Sequence, residues 1–252
     1  MQLDRITYAF LLIFKENFRR RITILLLLLI PATFYIIAIY TSSEIPMLIK
    51  IASAPDEPVI LVKPKDLGLI YIGLAATGFL VSFMALNIMQ RNAPARKRLI
   101  LCGYKTIELL TAKFLLVISI VIVLGIYIAV MGLFLIEPKH LSGVVAGYVL
   151  CGYVYGSYGL LIGAILKKEL EGILFIVLLA NIDIGWLQNP IFYAASQNKF
   201  IIKLLPGFNP SQVSVISAFT DFSINLPIMY SLIYGTIFLV LSMIIFNTQL
   251  KT

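Results

Sequence analysis

Apolar residues dominate this chain in six long runs, at about 22–40, 67–90, 113–136, 141–166, 172–188 and 227–247. Each approaches the roughly 20 residues a helix needs to cross about 30 Å of hydrocarbon. A lone strand in lipid leaves its backbone groups unpaired, so each run predicts a helix. The fifth is the shortest, and Asn181, Asp183 and Gly185 interrupt it. Ahead of the runs, Leu3, Ile6, Phe10, Ile13, Phe14 and Phe18 recur at helical spacing, with Asp4, Lys15, Glu16 and Arg19 mostly on the other side. That pattern predicts an amphipathic helix over 1–21 lying in the membrane interface and ended by Arg19-Arg20-Arg21; a disordered tail is the bland alternative. The first run ends in no small-residue cleavage site, which makes it a retained helix and not a cleaved signal peptide.

The connections carry their own signals. Residues 188–226 contain Pro190, Pro206 and Pro210 with apolar pieces at 191–193, 200–205 and 213–219. These are too short to span and predict re-entrant or interfacial helices capping one end of a bundle. The 41–66 connection, with four prolines, is too small for a soluble domain. The expected fold is an all-α membrane protein, one domain over 1–252.

Composition agrees. The chain is 60% hydrophobic and 13% charged, where soluble domains have about 45–50% and about 25%. The net charge of +8 would suit nucleic acid, but most of it sits in loops flanking apolar runs, which argues against that partner. Of the 20 Lys and Arg, 14 fall in segments 1–21, 91–113, 167–171 and 248–252. The positive-inside rule then places both termini in the cytoplasm of a multi-pass cell-membrane protein, with Trp186 near the outer interface.

Little points to catalysis. There is no phosphate-binding G-x-x-x-x-G-K-[ST] loop and no H-E-x-x-H or G-x-S-x-G motif. One histidine, His140, and scattered carboxylates make no metal cluster. Cys102 and Cys151 are placed too far apart to pair. Glu169 and Glu171, beside Lys167 and Lys168, read as a solvated helix end and not as an acid/base pair.

Three constellations remain. Gly152, Gly156, Gly159 and Gly163 share one helix face, and Gly143 and Gly147 add another small-residue pair; such faces serve close helix packing, or else line a substrate groove. Tyr148, Tyr153, Tyr155 and Tyr158 interleave with them and are suited to bonding across helices. Asp183 is the only carboxylate within a run, and an ionisable residue there is a functional candidate, for a pathway or gate. In the 91–113 connection, Arg91, Arg96, Lys97 and Arg98 precede Leu99-Ile100-Leu101-Cys102-Gly103-Tyr104, and Lys105, Glu108 and Lys113 follow. Anionic headgroups, worth about 1 kcal/mol per basic residue, account for the charges. They do not account for the apolar ridge, which has the look of a docking element for a partner.

These features together resemble the permease subunits of the ABC-2 family of ATP-binding-cassette transporters. The likeness covers the whole chain: an amino-terminal interfacial helix, six spans, a long cytoplasmic loop after the second, and a re-entrant segment before the last. Locally, Arg98-Leu99 through Gly103-Tyr104 to Ala112-Lys113 resembles the family's coupling-helix stretch, and Leu204-Leu205-Pro206 to Pro210 its turn before the last span. Where many members have glutamates around an arginine, this chain has Gln90-Arg91-Asn92-Ala93-Pro94, so those glutamates have no counterpart here.

The resemblance implies two permease chains, identical or paralogous, over separate ATPase subunits that hold the ATP and Mg; no cofactor is expected on this chain. The residues implicated in ATPase coupling are Arg91, Arg96, Lys97, Arg98, Leu99, Leu101, Gly103, Tyr104 and Lys105. Spans two and five would line the path, which implicates Tyr71, Thr77, Ser82, Asn87, Asn181 and Asp183. So few charges suit an amphipathic or apolar cargo such as a drug, a peptide or a lipid. The competing readings are an ion-coupled secondary transporter built on Asp183, which wants inverted repeats, and an intramembrane enzyme, which wants a nucleophile or paired acids in the spans.

Overall fold

The computed structural model describes residues 2–19, 21–53, 57–91 and 98–249. Helix α1 covers Gln2–Phe18 and α2 Arg21–Thr41. A two-stranded antiparallel hairpin follows, β1 (Met47–Lys50) and β2 (Val59–Val62), with Leu48 opposite Leu61. Helix α3 is Pro64–Gln90, with proline in its first turn, where the missing N–H costs nothing. A helical turn at 98–101 precedes α4 (Thr106–Leu133), and α5 is Leu141–Ile165. Helix α6, Glu169–Ala180, widens into a π-helical turn over Asn181–Leu187. Three short helices, α7 (Pro190–Ala195), α8 (Lys199–Lys203) and α9 (Phe208–Phe219), lead to α10, Asn225–Gln249. Among the described residues six helices are long and apolar enough to cross a membrane: α2 to α5, α6 with its π turn, and α10.

The helix bounds lie within a few residues of the apolar runs, with one correction. Residues 105–113 are not loop. Helix α4 begins at Thr106, where the Glu108 carboxylate accepts the Lys105 backbone N–H at 2.9 Å, one half of a capping box. Lys113 is buried two turns further on, its ammonium donating to the Met89 carbonyl at 2.9 Å and lying over the Phe246 ring. An ammonium cannot stay buried without acceptors; the open carbonyl at the end of α3 meets that need.

Helix α5 is the hub. A methyl group at Gly156 would lie 2.9 Å from Val81 of α3 and Val117 of α4, and one at Gly163 would lie 2.7 Å from Met89. Near Gly159 it would strike the α3 backbone at Ser82. The glycine face is therefore where α3 and α4 approach most closely, as small residues permit. Gly143 and Gly147 do the same for α9, receiving Ser217 and Ser214. Helix α10 packs on α5, Gly235 against the Tyr153 ring, and Phe246 is buried in the core; α2 and α10 still leave most of their apolar surface exposed.

Candidate functional site

Asp183 is fully buried in the π turn. Its Oδ2 accepts the Tyr155 phenol and the Gly207 backbone N–H, both at 2.6 Å. Its Oδ1 accepts the Gln188 side-chain amide, also at 2.6 Å. The π turn makes this possible. One extra residue per turn swings Asp183 and Gln188 to the same side, and π turns recur at functional positions. The loop ending in Pro206-Gly207 points its free N–H at the carboxylate because it opens α9, whose first amides have no partner within the helix. Three short donors face the carboxylate, and among the described residues no cation pairs with it.

The node lies deep between the helices. Tyr155 is 14 residues into α5, about 21 Å along it at 1.5 Å per residue. On α3 the neighbour is Gly78, equally central, whose Cα faces Ile184, Cys151 and Tyr155. From Gly207 at this level, α9 runs antiparallel to the first half of α5, until the Lys139 and His140 amides donate to Ala218 and Ser217. Asp183 thus joins α5, α6 and α9 beside the middle of α5 and α3, in the same π turn as Trp186.

A second polar cluster ties the hairpin to α7 and α8. Glu57 receives Lys199 at 2.9 Å, Tyr193 at 2.9 Å and Lys203 at 3.3 Å. The Lys199 bond foremost holds the Glu57 carboxyl down at about 2. Burial, with Glu57 adding to it, pushes the Tyr193 phenol up. A cavity of about 570 Å³ opens beside this cluster, between Lys203, Leu204, Phe208, Tyr230 and Tyr234.

The third region is the 98–104 turn. The Gly103 amide donates to Ile100 and the Tyr104 amide to Leu99, a Schellman closure. Gly103 sits at φ +87°, which a side chain would strain. Leu99, Ile100 and Tyr104 pack against Ile6, Ala9 and Phe10 of α1. Arg5 donates to the Gly103 carbonyl at 2.7 Å and lies over the Tyr104 ring. Leu101 is left pointing outward, 86% exposed, with Arg98 and Cys102 also exposed beside it. Arg91, at the end of α3, pairs with Glu16 of α1 at 3.4 Å, and Lys105 is exposed at the α4 cap. Arg96 and Lys97 lie outside the described residues.

The other pathway candidates scatter. Thr77 and Ser82 are buried, their hydroxyls donating to Gly73 and Gly78 in their own helix. Tyr71 packs against the central core. Asn87 bonds Glu169 at 3.1 Å, joining α3 to the start of α6. Asn181 is exposed and bonds Val177. Of the donors the sequence suggests for Asp183, the 188–226 connection supplies one through Gly207, whereas Asn181 bonds Val177; Tyr155 and Gln188 are donors that the sequence does not single out, the signal for Tyr155 being the tyrosines between glycines. Among the described residues no three His, Cys, Asp or Glu side chains gather as a metal site requires. No protein-family model matches this chain, and no curated protein sequence matches it.

Proposed function

We propose that this chain is the membrane subunit of an ATP-driven exporter of the ABC-2 type, pairing with a second permease chain over separate ATPase subunits. It moves an amphipathic or apolar cargo outward across the cell membrane. Both termini lie in the cytoplasm, α1 rests in the inner interface, and α7 to α9 re-enter from the outer side. The observation that carries this reading is the braced turn at 98–104. Leu101 projects while its neighbours are fixed to α1, which is itself tied to α3 through Glu16 and Arg91. Pressure on Leu101 is therefore passed to the bundle and not absorbed by a loose loop. The three donors already on Asp183 weigh against an ion-coupled carrier, whose carboxylate must be free to take and release its ion.

The test is affinity purification of the full chain in mild detergent, with identification of what accompanies it. A nucleotide-binding subunit in equal amount supports the proposal, and its loss in Leu101→Asp assigns the contact. A chain that stays alone and moves substrate without ATP overturns it.

A further inference from the structure

Between α1, α2, α3 and α4 lies a crevice of about 130 Å³, walled by Phe14, Phe18, Ile24, Leu27, Met84 and Val123. Three polar residues also border it, Asn17, Thr23 and Ser119, yet two have turned their donors away. The Asn17 amide donates to Ile13 at 2.8 Å and the Ser119 hydroxyl to Leu115 at 2.9 Å. What remains facing the space is hydrocarbon. An apolar cavity of this size stays dry and takes an apolar guest, as a cavity of about 150 Å³ takes benzene.

Two arginines are close in the chain to the walls of the crevice: Arg19 follows Phe18 and Arg21 stands two residues before Thr23, where α1 turns into α2, and both are exposed. Among the described residues neither is drawn into an ion pair. An apolar slot whose wall residues Phe18 and Thr23 neighbour two exposed arginines in the chain suits one chemistry: a hydrocarbon chain carrying an anionic head. Arginine suits that head because its fork of donors binds phosphate oxygens in pairs.

We infer that this corner is a binding site for an anionic phospholipid, with a short stretch of one acyl chain in the crevice and the phosphate on Arg19 and Arg21. The lipid wedges α1 against α2 and α4, the same α1 that carries the 98–104 turn nearer its start. The anionic leaflet thereby sets the angle of the elbow. The inference rests on α2 to α4 crossing a membrane and not on what the chain exports.

The experiment equilibrates the full-length chain in mixed micelles holding equal amounts of dioleoyl phosphatidylglycerol and dioleoyl phosphatidylcholine. The retained lipid is then quantified by mass spectrometry. The anionic lipid should be retained about twenty-five-fold over the zwitterionic one, each arginine contributing about fivefold. Arg19→Gln with Arg21→Gln, both surface changes, should bring the ratio close to one. Ser119→Phe, filling the slot, should lower bound lipid per chain with helix content unchanged. If that variant fails to fold, Val123→Trp fills the slot from an exposed position. Equal retention of the two lipids by the wild type overturns the site. So does a preference that survives loss of both arginines, or lipid binding indifferent to a filled slot. None of these results bears on whether an ATPase accompanies the chain.

Discussion

The Tyr155 phenol donates to Asp183 at 2.6 Å, which bonds the middle of α5 to the one stretch of α6 that departs from α-helical geometry. The same oxygen takes the Gly207 amide, and both donors are buried. Asp183→Ala therefore strands Tyr155, Gly207 and Gln188 together, at about 1–3 kcal/mol for each donor left unmet. Asp183→Asn is milder. Its oxygen keeps Tyr155 and Gly207, and Gln188 rotates its amide to accept from the new nitrogen, leaving about 1 kcal/mol of lost charge assistance. Tyr155→Phe falls between. Thermal unfolding in detergent should rank the variants in that order; an alanine variant that melts with the wild type would refute the latch.

Close approach of α5 to α3 makes a separate prediction. A methyl group at Gly159 would lie 2.9 Å from Ser82 Cα and 3.0 Å from Ala85 Cβ. Backbone cannot yield as a side chain does, so Gly159→Ala should cost about 1–3 kcal/mol by overpacking. Gly185→Ala is the control, since its nearest neighbour would be 3.6 Å away. It should leave the melting temperature unchanged. Equal losses at the two positions would mean that helix contact is not what the glycine face provides.

Much of this arrangement was legible in the sequence, and for a physical reason. A run of apolar residues long enough to span has few alternatives to a helix, so all six were visible to within a few residues at most ends. Helix α4 was the exception: Lys105, Glu108 and Lys113 looked like loop charges. Their accommodation depends on a cap and on the Met89 carbonyl, which is 24 residues away from Lys113 in the chain. The hairpin was hidden among prolines, in strands of only four residues. Asp183 stood out as the only carboxylate within an apolar run. Its donors did not, because they are brought to it by a π turn and by a loop returning through Gly207, and neither leaves a periodic trace.

Glu57 gives a pH dependence of known sign. Its folded carboxyl is held at about 2, below the 4.5 of the free side chain. A depressed carboxyl contributes its stability in full above the unfolded value, and loses it as pH falls through the folded one. The clamp on Lys199 and Lys203 should thus weaken between about pH 4.5 and 2. Hydrogen exchange of the 47–62 hairpin, corrected for intrinsic rates and compared with Glu57→Gln, checks this. Wild type should be the better protected at pH 5, and the difference should vanish toward pH 2. A constant difference would mean that the hairpin is held by its apolar face alone.

Leu99 and Leu101 are two residues apart and face opposite ways. Leu99 packs onto α1 with Ile100 and Tyr104, whereas Leu101 is 86% exposed. An aspartate at 99 must desolvate a charge in an apolar cluster, a cost of several kcal/mol, so Leu99→Asp should lower folded yield. Leu101→Asp places its charge in solvent beside Arg98, and yield and melting temperature should stay at wild-type values. If the turn docks a partner, Leu101→Asp nonetheless abolishes co-purification, because the apolar tip is what such a partner would bury. Gly103→Ala supplies the third comparison. It keeps every side chain but strains the left-handed residue by roughly 1–2 kcal/mol, tilting the tip without discharging it. Partner binding should weaken there and not vanish. Co-purification unchanged by Leu101→Asp, in a chain that is folded and does carry a partner, would move the docking surface away from this turn.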